Sequence, residues 1–272
     1  MWLPWEYGIA LAAILFAISR VLAHQTITPF IREGSVVAAL YGLWQLAGQV
    51  SLLSIDNALA RGAAIWDFER AIGLPSELAL QQWLLPHSLT TQAANLYYAF
   101  VHVPAMVAFL VWLFVRFRHA YPTWRNTLAI ATGVSLLIQL LPVAPPRLTG
   151  ETQMIDTGLA YGQSLYGVFG RGIAGQLQAM PSVHVAWAAL IGWAVWEISS
   201  SRWRVLGPLH FAITFLVVAV TGHHYWLDGL AAIALLLAAR WTGEWLHSAS
   251  RKPTPQLRKA AMPMHSAVET AV

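Results

Sequence analysis

The sequence predicts an all-α fold. It reads as a polytopic membrane helix bundle of six to seven transmembrane helices, with interfacial helices and a long extracytoplasmic loop carrying candidate site residues. Three observations predict it. Apolar residues make up 57% of the 272-residue chain and charged residues only 10%, where soluble domains carry about 25% charged residues. The apolar residues gather into seven long stretches, and the mean hydropathy is +0.55. The 14 tryptophans and 8 tyrosines suit interfacial belts, where an amphipathic ring sits at headgroup level.

A spanning helix needs about 20 mostly apolar residues. Candidates run at 7–23, 36–55, 96–115, 124–141, 182–199, 205–221 and 226–246. No basic run precedes the first, and residues 19–24 form no small-residue cleavage site, so it reads as a retained helix. The second carries Gln45, Gln49 and Ser51 at helical spacing, which leaves a span with a polar inner face and an interfacial helix as two readings. Residues 56–90 read as short amphipathic helices lying on the membrane surface. There Ile65, Trp66, Phe68, Ile72, Leu74, Leu78 and Leu80 alternate with Asp67, Glu69, Arg70 and Glu77, and Pro75-Ser76 marks a helix restart. Residues 142–181 form a long loop rich in Gly, Gln and Pro. The chain reads as one domain, 1–248, with a catalytic core at about 95–246. A basic cytoplasmic tail, 249–272, is expected to be disordered.

Charge sets the expected orientation. Arg116, Arg118, Arg125, Arg202, Arg204 and the basic tail fall on one side of a seven-helix chain. The 56–90 segment and the 142–181 loop, of mixed charge, fall on the other. The positive-inside rule puts the first side in the cytoplasm. Basic residues are scattered rather than clustered, which excludes a nucleic-acid partner. Cysteine is absent, which excludes disulfides and thiolate chemistry.

Four short pieces end apolar stretches on the extracytoplasmic side: Ala144-Pro145-Pro146-Arg147, Met180-Pro181-Ser182-Val183-His184, Thr221-Gly222-His223-His224, and Asp228. Ionisable groups at such depth are costly and mark a functional site. The His224-x-x-x-Asp228 spacing places both on one helix face, a geometry in which a carboxylate orients an imidazole. Ser182 is placed to cap the following helix.

Pro181-Ser182-Val183-His184 and Gly222-His223-His224-Tyr225-x-x-Asp228 resemble two signatures of the type 2 phosphatidic acid phosphatase superfamily. The 142–148 and 179–187 stretches, with Tyr97-Tyr98-x-x-x-His102, are similar to the branch containing inositol phosphorylceramide synthase, an inositolphosphotransferase. The similarity covers roughly 95–235, and more weakly 65–95. It implies a metal-independent lipid phosphatase or phosphotransferase with a phosphohistidine intermediate and no cofactor. It further implies a phospholipid or other lipid phosphate as substrate and an integral place in the cell membrane. In that reading His224 attacks phosphorus, Asp228 orients it, and His184 protonates the leaving oxygen. Arg147 clamps phosphate oxygens, and Ser182, His102 and Arg171 join the substrate site. The chain departs from the superfamily at two cationic positions: a lysine seven before the arginine is Leu140, and an arginine six before the histidine is Val218. Arg171, His102 and His223 are the candidate replacements.

Plainer readings stand beside these. His102 also suits a satisfied interior histidine, His223 an interfacial residue, Arg147 a snorkelling arginine, and Asp156 a loop cap. The competing function is a transporter or channel using the histidines and Asp228 as a proton relay. A metal site at His223, His224 and Asp228 is disfavoured, because adjacent helical residues point about 100° apart.

Overall fold

The computed structural model describes residues 4–22, 24, 27–47, 55–163 and 176–250. Its elements are helices, apart from one isolated parallel bridge between Val143 and Gln178. In chain order they are α1 (Trp5–Val21), α2 (Ile27–Ala47), α3 (Ile55–Ala71), α4 (Glu77–Leu84), α5 (Ser88–Phe100), α6 (His102–Arg116), α7 (Tyr121–Ile138), α8 (Thr157–Ala160), α9 (Val183–Ile198), α10 (Leu206–Val220) and α11 (Trp226–Ser250).

All seven expected apolar helices and the expected amphipathic pair, α3 and α4, are present, with two differences of outline. The second helix begins at Ile27 rather than 36. Arg32 and Glu33 lower the hydropathy of that first part, yet Glu33 is accommodated because it accepts hydrogen bonds from Arg125 and from the Tyr121 hydroxyl at 3.2 Å. Residues 48–54 lie outside the described residues. The third expected helix is two, α5 and α6, meeting at Val101 with a 51° bend. Pro104 explains the break: it has no N–H to continue the α5 ladder into α6.

Among the described residues, one helix is long and apolar enough to cross a membrane by itself, Arg202–Val220, and the bent α5–α6 pair qualifies as a second. The count of six to seven spans therefore rests on the sequence pattern, not on helix length.

The main core joins α6, α7, α9 and α11 through Phe109, Leu113, Trp124, Leu128, Leu190 and Leu236, all buried. Arg240 lies over the faces of Trp124 and Trp193, at 5.1 and 5.8 Å, and pairs with Glu244 and, at 3.6 Å, with Glu197, so carboxylates and ring faces together hold its charge. α9 and α10 cross at Gly192 and Gly207. A Cβ on Gly207 would sit 3.0 Å from the Val195 Cβ and 3.2 Å from the Gly192 Cα, so any larger residue forces the helices apart.

Chain direction then sorts the ends. The start of α6, the end of α7, the start of α9, the end of α10 and the start of α11 share one end of the bundle. Gln139, capping α7, donates to the Pro181 carbonyl at 2.9 Å, which ties two of these together. Arg116, Arg118, Arg125, Arg202 and Arg204 sit at the opposite end.

Single cysteines introduced into this cysteine-free chain at 118, 160 and 203 test the expected orientation. Positions 118 and 203 should label from the cytoplasmic side only and 160 from the outside only; labelling of 160 from the cytoplasm reverses it.

Candidate active site

The link between α10 and α11 is five residues long, and its geometry follows from one glycine. Gly222 has φ of 72°, a left-handed conformation that side chains disfavour. A Cβ there would also lie 3.1 Å from the Arg147 Cβ. The Gly222 carbonyl accepts from the Arg147 N–H at 3.0 Å, and the His223 and His224 amides both donate to the Val218 carbonyl, at 3.0 and 3.1 Å. The turn therefore brings Arg147 and both histidines together.

His224 is buried, and its Nδ1 lies 2.8 Å from the Ala179 carbonyl. A carbonyl only accepts, so Nδ1 carries the proton and Nε2 holds the lone pair. The Asp228 Oδ2 is farther, 3.4 Å from Nδ1. That oxygen also accepts the Tyr225 N–H at 2.9 Å. The expected carboxylate is thus a second acceptor behind a backbone one. His184, in the first turn of α9, turns its Nδ1 to within 3.4 Å of the His224 Nε2. With Nε2 as acceptor, that His184 nitrogen is the donor.

Ser182 is fully buried and caps α9, its Oγ accepting from the Val185 N–H at 3.3 Å. Its own N–H donates to the Asp228 carbonyl at 3.0 Å. Arg147 is buried, and its Nη1 donates to Asp156 Oδ2 at 2.8 Å and to the Gln176 side-chain oxygen at 3.2 Å. Asp156 is the expected cap, accepting from the Leu159 N–H at 2.9 Å, but it also holds the guanidinium.

His102 is buried with its ring centre 4.7 Å from that of His184, and among the described residues neither of its ring nitrogens has a hydrogen-bond partner. Tyr97 and Tyr98 stand edge-on to it, at 5.5 and 5.9 Å. Tyr98 faces the site and stacks on His223 at 3.7 Å. The Tyr97 hydroxyl turns away to His210 Nδ1 at 2.6 Å. Burial, with the Arg147 guanidinium near it, holds His223 well below the usual imidazole range. Val218 is core, 1% exposed. Arg171 lies outside the described residues.

Sequence reasoning missed the supports of this site: the Ala179 carbonyl, Gln176, Asp156 as ion partner, and Glu69 with Glu77. Both glutamates are fully buried and point at the start of α11. Glu69 Oε1 accepts the Leu227 N–H at 2.7 Å, and Glu77 Oε1 the Trp226 N–H at 3.3 Å. Arg70 pairs with Glu77 at 2.9 Å and lies 3.7 Å from Glu69. On amphipathic helices these residues read as a solvated face; only the docking of α3 and α4 onto α11 makes them caps. Burial, and then the neighbouring Glu77 carboxylate, pushes Glu69 up to about 9.

The PAP2 superfamily model matches residues 63–242. The chain belongs to the PAP2 superfamily. The match takes in the second half of α3, α4 to α10, most of α11 and every residue assembled above. Superfamily members are phosphoesterase enzymes, which fixes the coarse activity class. The inositolphosphotransferase branch is not separately matched. No curated protein and no solved structure matches the chain significantly.

The Glu69 carboxyl gives this PAP2 protein a pH signature. Its folded pKa lies above the ordinary 4.5, so the native state holds a proton that the unfolded chain releases. That contribution to stability is complete below about pH 4.5 and is lost as pH rises through about 9. Glu69→Gln mimics the protonated form and should flatten the fall in Tm between neutral and alkaline pH. Glu69→Ala should cost about 1–3 kcal/mol at acid pH by leaving the Leu227 amide unsatisfied, and less as pH rises toward about 9. Parallel wild-type and Gln-variant melting curves across that range would refute the assignment.

Proposed function

We propose that the protein is an integral membrane lipid phosphatase or phosphotransferase, metal-independent, working through a phosphohistidine at His224. The observation carrying this reading is the imidazole pair. The Ala179 carbonyl engages the His224 Nδ1–H, and Nε2 faces His184 across 3.4 Å. Apo contacts of this length tighten or open once a reacting group enters.

In the first half-reaction the Nε2 lone pair forms the N–P bond as the P–O bond to the leaving group breaks. His184 gives its proton to the departing oxygen. In the second, water or a lipid hydroxyl passes its proton to His184 and attacks phosphorus, and the N–P bond breaks. Arg147, held in plane by Asp156 and Gln176, supplies positive charge to the equatorial oxygens. The start of α9 adds helix-end amides beside Ser182. Asp228 favours the imidazolium that develops at His224 and fixes the α11 start. His102 and Tyr98 form the wall next to His184.

The four site pieces and the arginines lie at opposite ends of the bundle, which supports an extracytoplasmic site with the C-terminus in the cytoplasm. The resemblance of the 142–148 and 179–187 stretches to inositolphosphotransferases supports transfer of a head-group phosphate, such as inositol phosphate, to a lipid hydroxyl.

His224→Ala should lower turnover of a lipid phosphate by about three orders of magnitude and abolish trapping of labelled phosphate on protein. Asp228→Asn should lose less, because the Ala179 carbonyl still holds the tautomer. Near-normal turnover by His224→Ala removes the mechanism.

Arg147→Lys should be strongly impaired, since a point charge cannot keep both Asp156 and Gln176 while facing phosphate. Wild-type activity should survive EDTA and be inhibited by vanadate. Loss in EDTA with rescue by Mg²⁺ or Zn²⁺ would favour metal chemistry.

A further inference from the structure

A cavity of about 390 Å³ opens between the α1–α2 hairpin and the bundle, walled by α2, α6, α7 and α9. Its size falls in the ordinary range of ligand pockets, roughly 300–1,000 Å³. The walls are almost wholly apolar: Gly34, Val37 and Tyr41 from α2, Val103 and Val107 from α6, Trp187 from α9. Three features decide what fits it.

First, one end of the cavity lies toward the site end of the helices. Val103 follows His102 directly, and Trp187 lies one turn beyond His184. The Trp187 indole N–H donates to Thr132 Oγ1 at 3.0 Å, so the ring's polar edge is satisfied and its face is left to the cavity. Second, the cavity is elongated along the helices. The lining residues of α6 run from Val103 to Val111, about 12 Å at 1.5 Å per residue. Third, the far end is closed by Glu33 and Tyr121, whose polar atoms are spent on one another and on Arg125. A long slot that runs toward the site end, with apolar walls and a neutralised floor, suits an unbranched hydrocarbon chain with a phosphate at its head.

We infer that this cavity holds one hydrocarbon tail of the lipid phosphate substrate, with the α1–α2 hairpin as the wall that sets tail length. The inference rests on the lipid phosphate reading above. The hairpin lies outside residues 63–242, the span matched by the superfamily.

The test fills the slot. A Cβ at Gly34 would meet only the Leu15 Cδ1 at 3.6 Å, so Gly34→Phe projects its ring into the open space. Val107→Trp fills it from the other wall. Purified full-length wild type and both variants are assayed on palmitoyl and hexanoyl glycerol phosphate. The ratio of kcat/KM for the long over the short chain should fall at least about tenfold in each variant, since excluding two methylenes already costs that much. An unchanged ratio, including equal losses on both substrates, overturns the inference and leaves the cavity as a packing defect of the hairpin. A palmitoyl glycerol phosphate carrying a mid-chain diazirine should crosslink to α2 and α6 of the wild type. Crosslinks confined to other helices overturn it as well. If the wild type turns over neither substrate, the lipid phosphate reading fails, and the crosslink still decides the cavity.

Discussion

Everything at the reactive end depends on how the backbone of residues 179–182 satisfies its polar groups. The Ala179 carbonyl takes the His224 Nδ1–H, the Pro181 carbonyl takes the Gln139 amide, and the Ser182 N–H gives to the Asp228 carbonyl. A buried carbonyl or amide without a partner is expensive, so each must find one. Here each finds it on a different helix: α7, the start of α11, and the loop before it. Moving any of these helices breaks a buried hydrogen bond. The same contacts that close the fold also decide which nitrogen of His224 is basic. Structural satisfaction and chemical preparation are one requirement.

Two helix starts meet at this point, and they are treated differently. The first-turn amides of α11 and the residue before it are met by three carboxyl groups: Asp228 for Tyr225, Glu77 for Trp226, Glu69 for Leu227. These acceptors occupy the free donors at the positive end of that helix. The start of α9 is capped by the neutral Ser182 hydroxyl. Of the two, α9 keeps the field that favours an anion, and it carries His184. The amphipathic helices α3 and α4 therefore do more than lie beside the bundle. Through Glu69, Glu77 and the buried Gln81, which donates to the Ile155 and Val220 carbonyls at 3.0 and 3.1 Å, they brace the loop and the α11 start.

The opposite end is built on a different principle. Arg204 lies over Trp196 at 4.2 Å, Arg118 over Phe114 at 4.8 Å, and Arg125 pairs with Glu33. Positive charge there is spread over ring faces instead of being aimed at one point. The separation leaves Arg147 as the buried cation among the described residues of the site. Two cations common in the superfamily are replaced here by Leu140 and Val218, and Val218 contributes its carbonyl to hold both histidine amides.

The sequence by itself determined the helical class, the seven apolar helices, the amphipathic pair and the pieces that come together: Arg147, Ser182, His184, His224 and Asp228. These were legible because they rest on local facts, on apolar runs, a Ser N-cap and an i, i+4 pair. It also foresaw the separation of basic end and site end, since helix order alone fixes that. Tertiary structure decided the rest. The bend at Val101 needed Pro104 set against a real α5 ladder. Ala179 as the partner of His224, Asp156 as the partner of Arg147, and the glutamates capping α11 join residues nine to about 160 positions apart in sequence. A backbone carbonyl carries no mark in a sequence, and a glutamate on an amphipathic helix reads as solvated until another helix end covers it. Acceptors for buried donors are chosen by packing, and packing is not a local property.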